Sequence, residues 1–217
     1  SKFFGEPAKE LFCVGITGTN GKTSTAYLVE AIFKEFGWVS GVMGTIDHHV
    51  GEKVWKTNLT TPGVLDLYRR LKEFVSLHAR AAIFEVSSHA LSQQRVDSLP
   101  FQVGIFTNLT RDHLDYHKSM EEYFLAKQML FKDLPLRQHN KNFVAIINTD
   151  DDYGKKIEVS DAVKYLTYGR KSTDFSFTII RESFAGIEFS LKTPHGEESF
   201  ELALPGEHNV YNAVAAI

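Results

Sequence analysis

Apolar positions in this chain gather into short, nearly unbroken runs separated by longer stretches of helical spacing. Leu11-Phe12-Cys13-Val14, Ala81-Ala82-Ile83-Phe84-Glu85-Val86, Val103-Gly104-Ile105-Phe106-Thr107 and Val144-Ala145-Ile146-Ile147 are each of strand length. Such runs, alternating with helices, predict a parallel sheet covered on both faces. A first helix is expected from Thr25 to Phe36, with Tyr27, Leu28, Ala31, Ile32 and Phe36 on one side and Gly37 as its stop. A strand follows from Trp38 to Ile46, and the polar run from His48 to Asn58 reads as a hairpin or loop. Thr61 as N-cap and Pro62 in the first turn open a second helix with Leu65, Tyr68, Leu71 and Val75 facing inward. A capping box, Ser119 with Glu122, opens a third, which buries Met120, Tyr123, Phe124, Leu130 and Phe131.

Beyond about Tyr165 the pattern changes to alternation. Phe175 to Arg181, Gly186 to Lys192 and Ser199 to Leu204 read as antiparallel strands, with a turn at Pro194-His195-Gly196. A last helix is expected with Asn209 as its cap and Val210, Ala213, Val214 and Ile217 on its apolar face. The fold class is therefore α/β: a phosphate-loop-type, mostly parallel sheet flanked by helices, with a small C-terminal antiparallel β-sheet. The last apolar turn carries no stop signal, so the chain reads as a fragment of a longer protein.

Composition narrows the class. The chain has 217 residues, 43% of them hydrophobic and 24% charged, enough to bury a core. A net charge of −3 argues against a nucleic-acid partner held by phosphate contacts. A single cysteine, Cys13, excludes an internal disulfide and fits a reducing compartment. No apolar run is long enough for a membrane span, so no membrane partner and a cytoplasmic location are expected.

Chemistry enters at Gly15-Ile16-Thr17-Gly18-Thr19-Asn20-Gly21-Lys22-Thr23-Ser24, between the first strand and the first helix. That setting points backbone N–H groups at phosphate oxygens. Lys22 would reach the β/γ-phosphates and the Thr23 hydroxyl would hold Mg²⁺. A purely structural turn has no need of Lys-Thr at its end. Glu85, near the C-terminal end of a buried strand, is either a Mg²⁺ ligand or a glutamate paired with an arginine or a helix N-terminus. The run from Thr107 through Asn108 to His117 lies at the same sheet edge, where His113 is a second-metal candidate or part of a solvated loop. Lys127 is seven residues after Met120, on the inward stripe, and either snorkels outward or enters the nucleotide site. Arg95 either pairs with a phosphate or carboxylate or stays on the surface.

Together these motifs resemble the Mur ligase superfamily of ATP-dependent amide-forming enzymes. The resemblance rests on Gly-Thr-Asn-Gly-Lys-Thr, Asn-Leu-Thr-Thr-Pro at 58–62, Glu-Val-Ser-Ser-His at 85–89, Asp-His-Leu-Asp-Tyr-His at 112–117 and Gly-Glu-His-Asn-Val-Tyr-Asn at 206–212. The stretch from Glu85 to Leu91, with Gln93 and Arg95, is most similar to the branch that adds the third peptide residue of the cell-wall precursor. The resemblance covers nearly all of residues 1–217. It corresponds to the central, ATP-binding domain of a three-domain enzyme whose UDP-binding and amino-acid-binding domains lie outside this sequence.

The resemblance implies a role for each matching residue. Gly18, Thr19, Asn20, Gly21, Lys22, Thr23 and Ser24 would hold the ATP phosphates. Thr23 and Glu85 would take one Mg²⁺, and His113 with a carbamylated Lys127 would serve a second. Thr60, Thr61, Ser87, Gln93 and Arg95 would contact UDP-N-acetylmuramoyl-L-alanyl-D-glutamate, and Asn108, Asn209 and Asn212 would belong to the nucleotide side. The asparagine often found directly before the paired threonines stands one residue away, as Asn58, with Leu59 inserted. The implied reaction joins a diamino acid, lysine or meso-diaminopimelate, to that substrate through an acyl phosphate, and a monomer is expected. Other readings are a folylpolyglutamate or cyanophycin synthetase, against which Ser87, Gln93 and Arg95 argue, and a nucleotide switch. The run Asn148-Thr149-Asp150-Asp151 lacks the lysine of a guanine-reading motif.

Overall fold

The computed structural model describes residues 2–138, 140–160, 163–172 and 174–217. The core of the parallel sheet is β1 (Phe12–Thr17), β2 (Ser40–Met43), β5 (Ala81–Glu85), β6 (Phe101–Phe106) and β7 (Val144–Asn148). A hairpin of β3 (His48–Val50) and β4 (Lys53–Trp55) extends one edge. On the other edge lie β8 (Lys164–Gly169), β9 (Phe175–Ser183), β10 (Gly186–Thr193) and β11 (Gly196–Leu202). Among the described residues, eleven strands form one sheet in the order β11-β10-β9-β8-β7-β6-β1-β5-β2-β3-β4.

The pairing is parallel from β2 through β9 and antiparallel at both ends. The C-terminal antiparallel strands therefore join the parallel sheet directly, through the parallel pair β8–β9. β8 has no expected counterpart, because Lys164-Tyr165-Leu166-Thr167-Tyr168-Gly169 mixes polar and apolar residues without a clean period. Its inner residues Thr167 and Tyr168 are nevertheless buried.

Six α-helices are described: α1 (Lys22–Glu35), α2 (Val64–Ser76), α3 (Ser88–Ser92), α4 (Met120–Gln128), α5 (Asp133–Arg137) and α6 (Glu207–Ala216). Side chains alternate across each strand, so the sheet divides the core in two. On one face Val14, Ile16, Val42, Ile83 and Ile105 pack with Ala26 and Val29 of α1 and Val210, Ala213 and Val214 of α6. On the other, Cys13, Ala82, Phe84 and Phe106 pack with Leu67, Leu71 and Phe74 of α2 and Tyr123 and Phe124 of α4.

Three expectations about helices change. The buried stripe of α1 is Thr25, Ala26 and Val29, while Tyr27 and Phe36 are exposed. Small residues let α1 pack closely against the sheet and against α6 beside it on the same face. α2 buries Leu67, Tyr68, Leu71 and Phe74 rather than Leu65 and Val75, and Leu65 is exposed. Phe74 rests on Gly41 of β2, where a Cβ would lie 2.2 Å from its ring. Gly41 therefore fixes which of two overlapping helical stripes faces the sheet. Capping also differs: α2 starts after Gly63, not at Thr61, and α6 starts after Gly206, not at Asn209. The Asn209 side chain donates back to the Pro205 carbonyl at 2.7 Å. The capping box of α4 holds, with Ser119 accepting from the Glu122 amide at 3.1 Å. Leu130 and Phe131 are buried just beyond the end of α4.

Candidate functional site

The carboxyl ends of β1, β5 and β6 meet at one edge of the sheet, where open α/β folds bind their ligands. The loop from Gly18 to Gly21 leaves β1 there and runs into α1. Its sharpest point is Gly21, with φ at 86°, where a Cβ would lie 2.3 Å from Asn212 Oδ1. A side chain at that position would be strained and would push the Asn212 side chain aside. No side chain caps α1, so its first N–H groups end at the loop.

The loop is braced from the residues after β6. The Thr19 amide donates to the Asn108 carbonyl at 2.8 Å, and the Asn20 amide to Asn108 Oδ1 at 3.0 Å. Thr107 Oγ1 and Asn108 Nδ2 both donate to the Asn20 carbonyl, at 2.6 and 3.1 Å. Asn108 thus supports the loop rather than reaching across it. Lys22 folds back, its ammonium donating to the carbonyls of Gly18 at 2.9 Å and Thr19 at 2.8 Å. Burial lowers its pKa, while Glu85 and Asp112 oppose that shift.

Glu85 is 1% exposed and has no arginine partner among the described residues. Its carboxylate accepts from Thr23 Oγ1 at 2.9 and 3.0 Å, from the Thr45 amide at 2.9 Å and from Thr45 Oγ1 at 3.0 Å. Every donor to it among the described residues is neutral. With the Thr23 hydroxyl it forms an all-oxygen donor set that suits a hard divalent cation. Thr45 was not among the expected residues, since one threonine in a polar run carries no signal of its own.

Lys127 is 1% exposed, and its ammonium donates to the Gly18 carbonyl at 2.8 Å. It also lies 4.5 Å over the Tyr123 ring. Burial first, and the Lys22 ammonium second, hold its pKa well below the ordinary lysine value. The inward lysine therefore enters the loop and does not snorkel. His113, about half exposed, has a left-handed backbone with φ at 52°. Its ring stands edge-on to Tyr123 at 5.9 Å and to His89 at 5.4 Å. Among the described residues no three His, Cys, Asp or Glu side chains are grouped to hold a metal.

The remaining expected residues form a strap beside Glu85. Thr61 is buried, and its hydroxyl donates to the Glu85 carbonyl at 2.7 Å while accepting from the Ser87 amide at 3.0 Å. Ser87 caps α3, its Oγ accepting from the Ala90 amide at 3.2 Å. Arg95 donates through Nη1 to the Thr61 carbonyl at 2.9 Å and through Nε to Gln93 Oε1 at 2.9 Å. Gln93 in turn donates to the Tyr116 hydroxyl at 3.2 Å. Thr60 Oγ1 lies 3.1 Å from Thr45 Oγ1, which joins the strap to Glu85. Asn58 faces another cavity, about 290 Å³ in volume, with Lys56 and Arg70.

On the far side of the loop a cavity of about 540 Å³ is lined by Asn20, Asn108, Asn148, Tyr168, His208, Tyr211 and Asn212. Asn212 borders it directly, whereas Asn209 stands behind, its Oδ1 3.4 Å from Asn212 Nδ2. The unexpected members, Asn148, Tyr168, His208 and Tyr211, come from two strands and a helix far apart in sequence.

A phosphate-type loop, a buried carboxylate on the adjacent strand and a buried lysine on a third element meet at one sheet edge, the layout of a nucleotide-binding core. The Mur ligase middle domain model matches residues 16–217, and the chain belongs to that family. Two relatives named UDP-N-acetylmuramoyl-L-alanyl-D-glutamate–2,6-diaminopimelate ligase illustrate the similarity. The one from Geobacter metallireducens is 43% identical over 217 residues, covering 99% of this chain and 42% of its own length. The one from Bacillus velezensis is 43% identical over 216 residues, covering 99% and 44%. A solved structure of a ligase of the same name superposes with a TM-score of 0.84 at 31% identity, covering 95% of this chain and 42% of that one. The chain thus spans less than half the length of the curated relatives it matches.

Proposed function

We propose that the intact protein uses ATP and Mg²⁺ to join 2,6-diaminopimelate to UDP-N-acetylmuramoyl-L-alanyl-D-glutamate, and that residues 1–217 are its central ATP-binding domain. The observation that carries this reading is the buried Glu85 carboxylate beside the phosphate loop, bonded among the described residues by Thr23 and Thr45. The diamino acid is taken from the names of the relatives, and lysine is the competing choice.

In this reading Thr23 and Glu85 would hold one Mg²⁺, and His113 with Lys127 would serve a second. The lowered pKa of Lys127 supports a neutral amine there. Such an amine can attack carbon dioxide, forming an N–C bond and releasing a proton, which leaves a carbamate anion. That modification would place an anion beside the Lys22 ammonium, and the two would attract.

ATP supplies the transferred phosphoryl group, and the metal ions offset its negative charge. Lys22 leaves the carbonyls of Gly18 and Thr19 and binds the β/γ-phosphates, neutralising charge that grows on the leaving ADP. Asn108 keeps the loop in register beneath the phosphates, and Asn212 and its neighbours receive the nucleoside. Thr60, Thr61, Ser87, Gln93 and Arg95 orient the substrate carboxylate toward the γ-phosphorus. Its oxygen forms the new P–O bond as the bond to ADP breaks, giving an acyl phosphate. The incoming amine then attacks the carbonyl carbon, loses a proton and expels phosphate. The protein contributes placement and charge, with no protein nucleophile.

The test is phosphate release by the intact protein given ATP, Mg²⁺ and the muramoyl dipeptide, with diaminopimelate or lysine in separate reactions. Release with diaminopimelate is expected. Lys22→Ala, in a protein that keeps its fold by circular dichroism, should lower the rate by about 10²-fold or more. Release with lysine alone would reassign the amino acid. Release with neither, from protein that binds Mg·ATP, would move the reading to another amide ligase of the superfamily.

A further inference from the structure

His49 lies outside the residues discussed above, yet it is one of the few buried ionisable groups of the sheet. It sits on β3 between two carboxylates. Nδ1 is 2.7 Å from Asp47 Oδ1, and Nε2 is 3.0 and 3.1 Å from the two oxygens of Glu30. A neutral imidazole has one N–H and would set its bare nitrogen against the other carboxylate. Only the imidazolium donates on both sides.

The two carboxylates belong to parts of the candidate site. Glu30 is on α1, seven residues after Thr23 and so two turns along the same face. Asp47 closes the turn that follows β2, its carbonyl accepting from the Gly44 amide at 3.1 Å. That turn carries Thr45, whose amide and hydroxyl hold Glu85 and whose hydroxyl also meets Thr60. The contacts close a ring: α1, Thr23, Glu85, Thr45, Asp47, His49, Glu30 and back to α1.

We propose that His49 is a positioning residue, clamped between Glu30 and Asp47, that fixes the 44–47 turn to α1 and so keeps Thr45 on Glu85 and Thr60. This rests on the function proposed above, since it gives the clamp its purpose: to hold the metal-side carboxylate and the substrate strap in one geometry. Removing the clamp leaves Thr45 free to rotate away, and the Glu85 carboxylate then loses two of its donors.

The surroundings agree. The hydrogen bond to Glu30 is the largest influence raising the His49 pKa to about 8, burial opposes it, and Asp47 adds to the rise. Other groups around it are the Tyr27 ring at 5.4 Å, Lys34 on α1, Glu52 in the hairpin turn and the adjacent His48. Burial, then Arg70, lowers the pKa of His48 to about 4, so it stays neutral. Because the folded pKa of His49 exceeds the ordinary 6.5, the clamp is complete below 6.5 and fades as pH rises through about 8.

The experiment uses the intact protein with His49→Asn and, separately, Glu30→Gln, which alters only a partly exposed helix position. Amide exchange is read in the segment 44–47 without nucleotide, with the Ile105 segment as internal control. Binding of a non-hydrolysable ATP analogue with Mg²⁺ is titrated between pH 6 and pH 9. Exchange in 44–47 should rise about tenfold or more in both variants while Ile105 is unchanged, and binding should weaken about tenfold at pH 6.5. In the wild type, protection of 44–47 should fall above pH 8, and in His49→Asn it should lose that pH dependence. Unchanged exchange in 44–47 in Glu30→Gln, together with a wild-type profile flat across pH 8, would overturn the clamp. If the wild type binds no Mg²⁺-loaded analogue, the proposed function fails, while the exchange data still decide the clamp.

Discussion

Lys127 and Lys22 direct two ammonium groups at one carbonyl, that of Gly18. Like charges this close repel, and Lys127, with almost no solvent, yields its proton more readily. Its spacing to Met120 placed it on the inward stripe in the sequence, with snorkelling as the other reading, and burial of the side chain decides between them. Its target was not legible there, because Gly18 is 109 residues away in sequence. Lys127→Ala should lower phosphate release by about 10²-fold or more, and added acetate should restore part of it by standing in for a carbamate. Labelled bicarbonate should give a carbamate carbon signal in the wild type that is absent from Lys127→Ala. A fully active variant without acetate would remove Lys127 from the site.

At the scale of elements, Thr61 shows how a local signal can be read correctly as polar yet assigned the wrong partner. Thr-Pro before an apolar stripe is a sound helix-start pattern. Here the chain takes two more residues before α2 begins, and the threonine bonds across to β5 and α3 instead. Satisfying buried backbone groups of a neighbouring strand outweighs capping an exposed helix end. Thr61→Val keeps the shape and removes the hydroxyl. It should cost about 1–3 kcal/mol in a denaturation experiment. It should also raise KM for the muramoyl dipeptide while binding of Mg·ATP changes little, and Thr61→Ser should recover most of both. The α1 and α2 stripes were misread for a related reason. Several stripes of helical period overlap in each, and contact with α6 or with Gly41 selects one.

For the molecule as a whole, β1 is an interior strand of the sheet, paired with β6 on one side and β5 on the other. Cys13 on that strand is fully buried, its thiol 3.6 Å from the Leu11 carbonyl, and burial raises its pKa to about 12. Thiolate is the reactive form, so labelling of Cys13 should require opening of the core. In residues 1–217 expressed alone, a thiol reagent should react at the rate of global unfolding. A ligand that binds only the folded state slows that rate, so Mg·ATP should protect Cys13 in a concentration-dependent way. Fast labelling that Mg·ATP leaves unchanged would show that β1 opens locally.

The sequence by itself determined the α/β class, the main parallel strands and the phosphate loop. Those depend on local order: an unbroken apolar run makes a buried strand, and Gly-Lys-Thr after such a strand marks a tight turn into a helix. It also marked Glu85 as unusual, because a carboxylate within an apolar run must find partners. Only the tertiary structure decided who those partners are. Thr45 on Glu85, Lys127 on Gly18, and the cavity of Asn148, Tyr168, His208 and Tyr211 all join segments distant in sequence. Strand order and helix packing set those meetings, and a one-dimensional pattern carries no record of which face meets which.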